Sequence, residues 1–397
     1  MPALICAALI VLLEGLTFAM VFPVLTDYTQ ELGGSVALAG LMFALVTLPK
    51  VVMNPLWGGL SERWGRRLAM ALITLGTLTG SVLWALSKGV LNGVLLGGLG
   101  WLIVSRVIAG VFSAQAALSY AIASDVSTTA KRTASLGVLG AAFGLAFTVG
   151  PAVGGIVADE TSAQMVGWVC AGCQGLSLLI IAFGLRETRP VGDGGRAAVE
   201  TVGGAALLGR RAVRGMLGVI LLMTVAYGVL IPTFKPIVED WYDWDVRQAG
   251  WALSLFGLVG VIVQGGVVRP LSKRIDNWRL GLAGLMMMSA GLVWIAAHPS
   301  GDGVFIVAMV LLAVGTSVAM PAITSMLSHE VGEDGQGVGH GLGQSATSIG
   351  RAAGFGISGV LFAYGAAWPY WAGAAVGGIA LMVLIGAGRP AGSRNDG

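Results

Sequence analysis

The sequence predicts an all-α integral membrane protein: twelve transmembrane helices in two pseudo-symmetric six-helix bundles. Three observations predict it: scarcity of charge, twelve long apolar segments, and basic residues confined to alternate loops. The chain is 56% hydrophobic and only 11% charged, against about 25% charged in soluble domains. A water-soluble globule of 397 residues needs more charge than this. The 63 glycines are too aperiodic for collagen and suit close helix approach in lipid. The net charge of +3 points to no nucleic-acid partner, because the basic residues lie in loops and form no continuous face.

The segments run roughly over 3–26, 37–57, 68–87, 92–122, 133–157, 164–185, 216–238, 246–268, 279–297, 303–328, 338–364 and 368–388. Each has close to the ~20 mostly apolar residues that cross a bilayer as a helix. The first lacks a basic leader and a small-residue cleavage site, so it is expected to be a retained helix. Between the second and third lies Gly58–Leu68, a basic stretch expected to be a tight hairpin, with Gly58, Gly59 and Gly65 permitting the reversal. The polar gap around Arg186–Gly215 reads as a linker. The expected domains are therefore 1–187, a linker over 188–215, and 216–397.

With the N-terminus inside, the inner loops and tail hold seventeen of the 23 Lys and Arg residues, among them Arg63, Arg66, Arg67, Lys131, Arg132, Arg189, Arg196, Arg389 and Arg394. The outer loops hold only Lys88 and Arg247, while acids such as Asp27, Glu31, Asp159, Glu160 and Asp302 collect there. Positive charge stays on the cytoplasmic side. Both termini are therefore expected inside a multi-pass protein of the plasma membrane, the inner membrane of a bacterium.

The halves echo each other. Glu14 stands nine residues before Pro23, and Tyr227 nine before Pro236; Leu60-Ser61-Glu62-Arg63 is matched by Leu271-Ser272-Lys273-Arg274. The offsets, 213 and 211 residues, are nearly equal, as in transporters built from parallel repeats. On these residues the chain resembles the major facilitator superfamily, and within it the twelve-span drug:proton antiporters near the tetracycline-efflux proteins. Gly58-x-Leu60-Ser61-Glu62-Arg63-x-Gly65-Arg66-Arg67 is similar to the loop motif between helices 2 and 3, with Glu where Asp is usual. Arg106-x-x-x-Gly110 resembles the antiporter motif of helix 4, and Gly144-x5-Gly150-Pro151-x-x-Gly154-Gly155 the exporter motif of helix 5. The likeness is thinner in the C-terminal half, where Arg351-x-x-Gly354-Phe355 stands in place of a Gly-Pro.

Ionisable groups inside a membrane are costly and mark function by default. Glu14 lies about eleven residues into the first span, ~16 Å deep. An acid there either trades a proton or is held by a permanent partner. Lys50, ~12 Å from the inner face, reaches similar depth and is expected either to pair with Glu14 or to snorkel inward. Lys235 reads as an anchor near the outer interface. For Arg106 the resemblance implies proton transfer or substrate contact; holding carbonyls of a neighbouring helix is the structural alternative. It also implies that Glu62, Arg63, Arg66, Arg67 and Asp125, with the Gly58 and Gly65 turn, form an inner-face charge cluster controlling conformation. Gly150 and Pro151 are expected to bend span five, and Gly144, Gly154 and Gly155 to let it pack closely. The family's cavity-lining helices nominate Gln115, Tyr120, Phe147, Tyr227, Trp251, Gln264 and Gln344 as substrate contacts, each of which could equally face lipid or a neighbouring helix. Arg351 is left between cavity and inner face.

No enzyme signature is present. There is no phosphate-cradling loop, so the proton gradient, with no bound cofactor, is the expected energy source. His298, His329 and His340 lack metal-ligand spacing, and His329-Glu330 with Glu333 and Asp334 reads as a solvated loop. Cys170-x-x-Cys173 has redox spacing without a second pair, so packing is its expected role, as for Cys6. The expected partners are a small-molecule substrate, protons and lipid, with a monomer sufficient for a pore. The expected activity is proton-coupled export of a small amphipathic compound by alternating access, with a drug such as tetracycline foremost. The alternatives are export of an endogenous metabolite such as a siderophore, then nutrient import. A non-transporting scaffold gains nothing from buried Glu14, Lys50 and Arg106.

Overall fold

The computed structural model describes residues 2–127, 129–188, 204–298, 300–332 and 336–388. The described residues form helices and turns, and no strand. Among the described residues, eleven helices are long and apolar enough to cross a membrane: α1 (Ala3–Met20), α2 (Val36–Trp64), α3 (Arg66–Leu86), α4 (Gly97–Asp125), α5 (Ala134–Glu160), α6 (Ala163–Gly184), α7 (Arg211–Tyr242), α8 (Val246–Leu271), α9 (Asn277–Ala296), α10 (Asp302–Val331) and α12 (Trp368–Ala387). Between the last two runs α11 (Gln336–Phe362), 27 residues or about 40 Å long. Gln344, Ser345, Thr347, Ser348 and Arg351 make it the most polar of the twelve. It nonetheless packs closely on α7, where a Cβ on Gly354 would stand 2.6 Å from the Val225 carbonyl oxygen.

Two compact units emerge. One comprises Met1–Ala197 with Asp243–Ser254, the other Ala198–Tyr242 with Leu255–Gly397. In the first, the opening turns of α8 pack on α5: the Ala152 amide donates to Ser254 Oγ at 2.8 Å, and Arg247 pairs with Asp159 at 2.9 Å and Glu160 at 2.8 Å. The second gathers α7 and α9 to α12 around buried Phe234, Phe305, Leu312 and Tyr370. Many large apolar side chains, including Leu41, Leu75, Trp168, Met286 and Ile385, remain exposed. Exposed apolar side chains on helices of this length suit a lipid surrounding.

The helices depart from the expected boundaries for local reasons. The second span does not end at 57; helix continues through Gly58, Gly59, Glu62 and Arg63 to Trp64. The reversal is made by Gly65 alone, whose φ of 90° suits a residue without a side chain. Polarity marked where the span leaves the apolar layer, and helical hydrogen bonding carries on past that depth. The first span stops at Met20; Val21–Val24 turn around Pro23, and a short helix, Leu25–Glu31, follows. Span four begins at Gly97, not 92, and breaks at Ser113–Ala114 between Gly97–Phe112 and Gln115–Asp125. Span five runs as one helix through Pro151. Arg189, Arg196, Glu333, Asp334, Arg389 and Arg394 lie outside the described residues, as do the side chains of Lys131 and Arg132.

Candidate functional site

The first unit holds a narrow cavity lined from α1, α2, α3, α4 and α6. Five of its polar groups, from Thr17, Thr77, Ser81, Ser113 and Gln174, were not nominated from sequence. Gln174 of α6 is its structural hub. Its Oε1 accepts from Gln115 Nε2 at 2.8 Å and Thr77 Oγ1 at 3.1 Å, and its Nε2 donates to Thr17 Oγ1 at 3.2 Å. Gln115 Nε2 also donates to Thr74 Oγ1 at 2.8 Å. One amide pair thus ties α1, α3, α4 and α6 together. In an apolar interior each of these groups is stabilising only while partnered.

Glu14 enters this cavity from the middle of α1 and is 9% exposed. The break in α4 is what brings polar groups to it. Ser113 Oγ donates to Glu14 Oε1 at 3.4 Å, and the Ala116 amide, in the first turn after the break, also acts on the carboxylate. Oε2 makes no hydrogen bond among the described residues. Lys50, at the bend of α2 after Pro49, lies with its ammonium 4.8 Å from the Phe18 ring centroid and acts electrostatically on Glu14. The structure thus brings the two charges into one neighbourhood.

Arg106 lines the same cavity from α4 and is 7% exposed. Its Nε donates to Ser105 Oγ at 3.2 Å, and its guanidinium lies 4.5 Å from the centre of the Trp84 ring. That stacking suits a weakly hydrated planar cation. Among the described residues it forms no ion pair, and none of the expected carbonyl contacts. Trp84 is fixed by donating from Nε1 to the Ala163 carbonyl at 2.8 Å. Cys170 also lines the cavity; Cys6, Cys170 and Cys173 are all free thiols. Among the described residues no three His, Cys, Asp or Glu side chains cluster as a metal site.

The remaining nominated residues scatter. Gln115 is in the cavity, whereas Tyr120, Trp251, Gln264 and Gln344 are exposed. Phe147 stands in an aromatic group with Phe143 (4.6 Å), Phe22 (5.7 Å) and Phe18 (6.0 Å). Tyr227 accepts a hydrogen bond from Arg351 Nη2 at 3.2 Å within the second unit. Lys235, expected as an interfacial anchor, is instead buried and paired with Glu239 at 2.7 Å, one helical turn on. Missed from sequence were Thr17, Thr77, Ser81, Trp84, Ser113 and Gln174, while Cys170 was singled out only as a packing thiol. Of these only Gln174, a lone amide in an apolar run, carried any signal.

At the end of the first unit bearing the α2–α3 turn, Arg66 is 6% exposed. It pairs with Asp125 at 3.0 Å and donates to Ser61 Oγ. Glu187, just past α6, caps α3: its two carboxylate oxygens accept from the Arg66 amide at 2.8 Å and the Arg67 amide at 3.0 Å. Arg67 Nη2 donates to the Ala182 carbonyl at 2.6 Å, while Glu62 and Arg63 are exposed on the last turn of α2. In α5, Gly150, Gly154 and Gly155 are contact points. A Cβ at Gly154 would run into the Met20 carbonyl of α1, and one at Gly155 would lie 2.6 Å from the Val246 carbonyl oxygen of α8. The Gly144 carbonyl accepts from Thr148 Oγ1 at 3.0 Å, one turn on.

Comparison with known proteins agrees with this architecture. The chain is 29% identical over 355 residues to the class C tetracycline resistance protein of Escherichia coli, covering 85% of this chain and 84% of that one. It is also 29% identical to the class G tetracycline resistance protein of Vibrio anguillarum, covering 92% of each. Among solved structures it is similar to the human organic anion transporter MFSD10 (TETRAN), with a TM-score of 0.71, 22% identity, and coverage of 96% of this chain and 99% of that one. The family model described as Major Facilitator Superfamily matches residues 7–297 and 216–397. A helical chain with this run of membrane spans and these matches is a multi-pass membrane transporter, and it belongs to the major facilitator superfamily.

Proposed function

We propose that the protein is a proton-coupled exporter of a small amphipathic organic compound, working by alternating access, with a drug of the tetracycline type as the leading cargo. The observation that carries this reading is Glu14: a buried acid opening on a cavity, with one carboxylate oxygen unpartnered among the described residues. A carboxylate in a low-dielectric site is costly when charged. It is therefore suited to a cycle in which a proton and a cargo take turns neutralising it. In this reading Glu14 takes a proton from the outer side, cargo leaves, and the proton is released inside. Lys50 stabilises the ionised state, and the Arg66–Asp125 pair with the Glu187 cap stiffens the cytoplasmic end. Both termini are inside, the protein sits in the bacterial inner membrane, and a monomer suffices.

The two relatives named as tetracycline resistance proteins support the choice of cargo. The test is the susceptibility of cells expressing the protein to a panel of drugs that includes tetracycline. Resistance should appear with the wild type, disappear with Glu14→Gln, and disappear when a protonophore collapses the gradient. Resistance that persists in full under the protonophore contradicts antiport. No resistance to any compound, in cells shown to contain folded protein, moves the cargo to an endogenous metabolite.

A further inference from the structure

The second unit holds an intramembrane cation with no acid of its own. Arg351 stands near the middle of α11, about 22 Å from one end and about 16 Å from the other at the rise of a helix, deeper than lipid headgroups lie. Of the acids described in this unit, Glu239 and Asp240 close α7, Asp276 caps α9, Asp302 opens α10 and Glu330 ends it, so none sits at mid-span. The other cation at depth, Lys235, has Glu239 at 2.7 Å. Arg351 forms no ion pair among the described residues. Its Nη2 donates to Tyr227 Oη at 3.2 Å, and its Nε is shut away from solvent without an acceptor. Tyr227 accepts that bond, so its own hydroxyl proton is left to donate, and it too meets no acceptor among the described residues. Close helix packing fixes the pair: a Cβ on Gly228 would stand 3.4 Å from the Arg351 carbonyl oxygen, and one on Gly354 2.6 Å from that of Val225. Arg351 also continues a polar stripe. His340, Gln344, Ser348 and Arg351 follow one another at helical spacing on one face, the first two exposed and the last two partly so. An unpaired charge and a polar stripe at this depth are costly against lipid and mark a functional position.

We infer that Arg351 and Tyr227 form an anion site in the second unit, which holds the ionised acidic group of the cargo and is reached along the polar stripe of α11. The inference rests on the exporter reading proposed above and narrows its cargo to compounds bearing a carboxylate or a comparable oxyanion. The Arg351 Nε–H and the Tyr227 O–H are donors on neighbouring groups, and the two oxygens of a carboxylate can take one each. A guanidinium keeps its charge in such a place, so an anion that arrives and leaves with each cycle offsets a cost that the protein's own side chains leave open. An uncharged compound of the same shape leaves that charge unmatched, which makes the acidic group a specificity filter.

The test is equilibrium binding to the purified full-length protein in phosphatidylcholine nanodiscs, with no proton gradient. The probes are naphthalene-2-carboxylate and its uncharged counterpart, naphthalene-2-carboxamide. The carboxylate should bind about tenfold or more tightly than the amide, the scale of one hydrogen bond to a charged group, and sodium acetate should displace it. Arg351→Gln should lower carboxylate binding to the level of the amide and leave the amide unchanged. Tyr227→Phe, which removes one hydroxyl, should weaken the carboxylate about three- to tenfold and also leave the amide unchanged. Each variant is first checked for monodispersity, and Tyr227→Phe carries the test if Arg351→Gln does not fold. Equal binding of the two probes, no binding of the carboxylate, or a preference that either folded variant leaves unchanged overturns the site. Displacement by chloride and not by acetate makes it a halide site and overturns the cargo assignment. Because no gradient is imposed, each of these results bears on the anion site separately from antiport, which the protonophore experiment addresses.

Discussion

Glu14 and Gln174 show two uses of a polar group in an apolar interior. Gln174 is engaged by Gln115, Thr77 and Thr17, so Gln174→Leu should strand a Gln115 amide hydrogen, while the Thr17 and Thr77 hydroxyls keep backbone acceptors. The expected cost is about 1–3 kcal/mol, read as a lower melting temperature of the purified protein; an unchanged melting point contradicts the network. Glu187 is a structural residue of another kind, a carboxylate across the first amides of α3. Replacing it with Ala should cost about 1 kcal/mol, as for other helix caps, and Glu187→Gln less; equal effects would deny the charge a part. What the sequence disclosed at this scale were the charges. Glu14, Arg106 and Asp125 were legible because an ion in an apolar run has no cheap explanation. Trp84, Ser113 and Thr77 were not, because hydroxyls and aromatics are common in membrane helices, and only the fold shows which of them face a cavity.

At the scale of the helix, breaks and glycines position the site. The interruption of α4 at Ser113–Ala114 turns the Ser113 hydroxyl and the Ala116 amide of the following turn toward Glu14, so the protein itself supplies polar groups to a buried acid. The sequence carried no Pro or Gly there to announce it. The α5 motif was legible as a packing device, but its partners were not. Gly154 abuts the Met20 carbonyl and Gly155 the opening turn of α8. A side chain at Gly154 therefore pushes α1 away from α5 and is expected to reduce the yield of folded protein, so Gly154→Leu cannot separate folding from transport. Gly155→Ala is milder, but its methyl also meets backbone at Val246, so the opening turn of α8 must shift. In protein first checked for folding, flux should change by several-fold, and a folded variant whose flux matches the wild type shows that the α5–α8 approach plays no part in the cycle. The basic turn was legible in place but not in form: charge located it, while one positive-φ glycine makes it.

Across the whole molecule, the multi-pass membrane class was the most legible property, since it depends on sums of apolar residues rather than on any one contact. The first unit separates its charged groups to two ends. One end gathers Arg66, Arg67, Asp125 and Glu187; the other carries Lys88 paired with Glu31 at 2.6 Å, a hydrogen bond that lifts the Lys88 pKa above its ordinary value. If the arginine-rich end is cytoplasmic, a cysteine introduced at Arg63 should react with an impermeant maleimide only in inside-out vesicles, and one introduced at Lys88 only in intact cells. The central claim is that Glu14 exchanges a proton in each transport cycle. Its most direct measurement is tetracycline movement in proteoliposomes of the purified protein under an imposed pH gradient, with an internal dye recording proton flux. Wild-type protein should move cargo and protons in opposite directions. Glu14→Gln should retain cargo exchange at equal pH and lose all response to the gradient. A Glu14→Gln protein that still concentrates cargo against its gradient, driven by pH, would contradict the account.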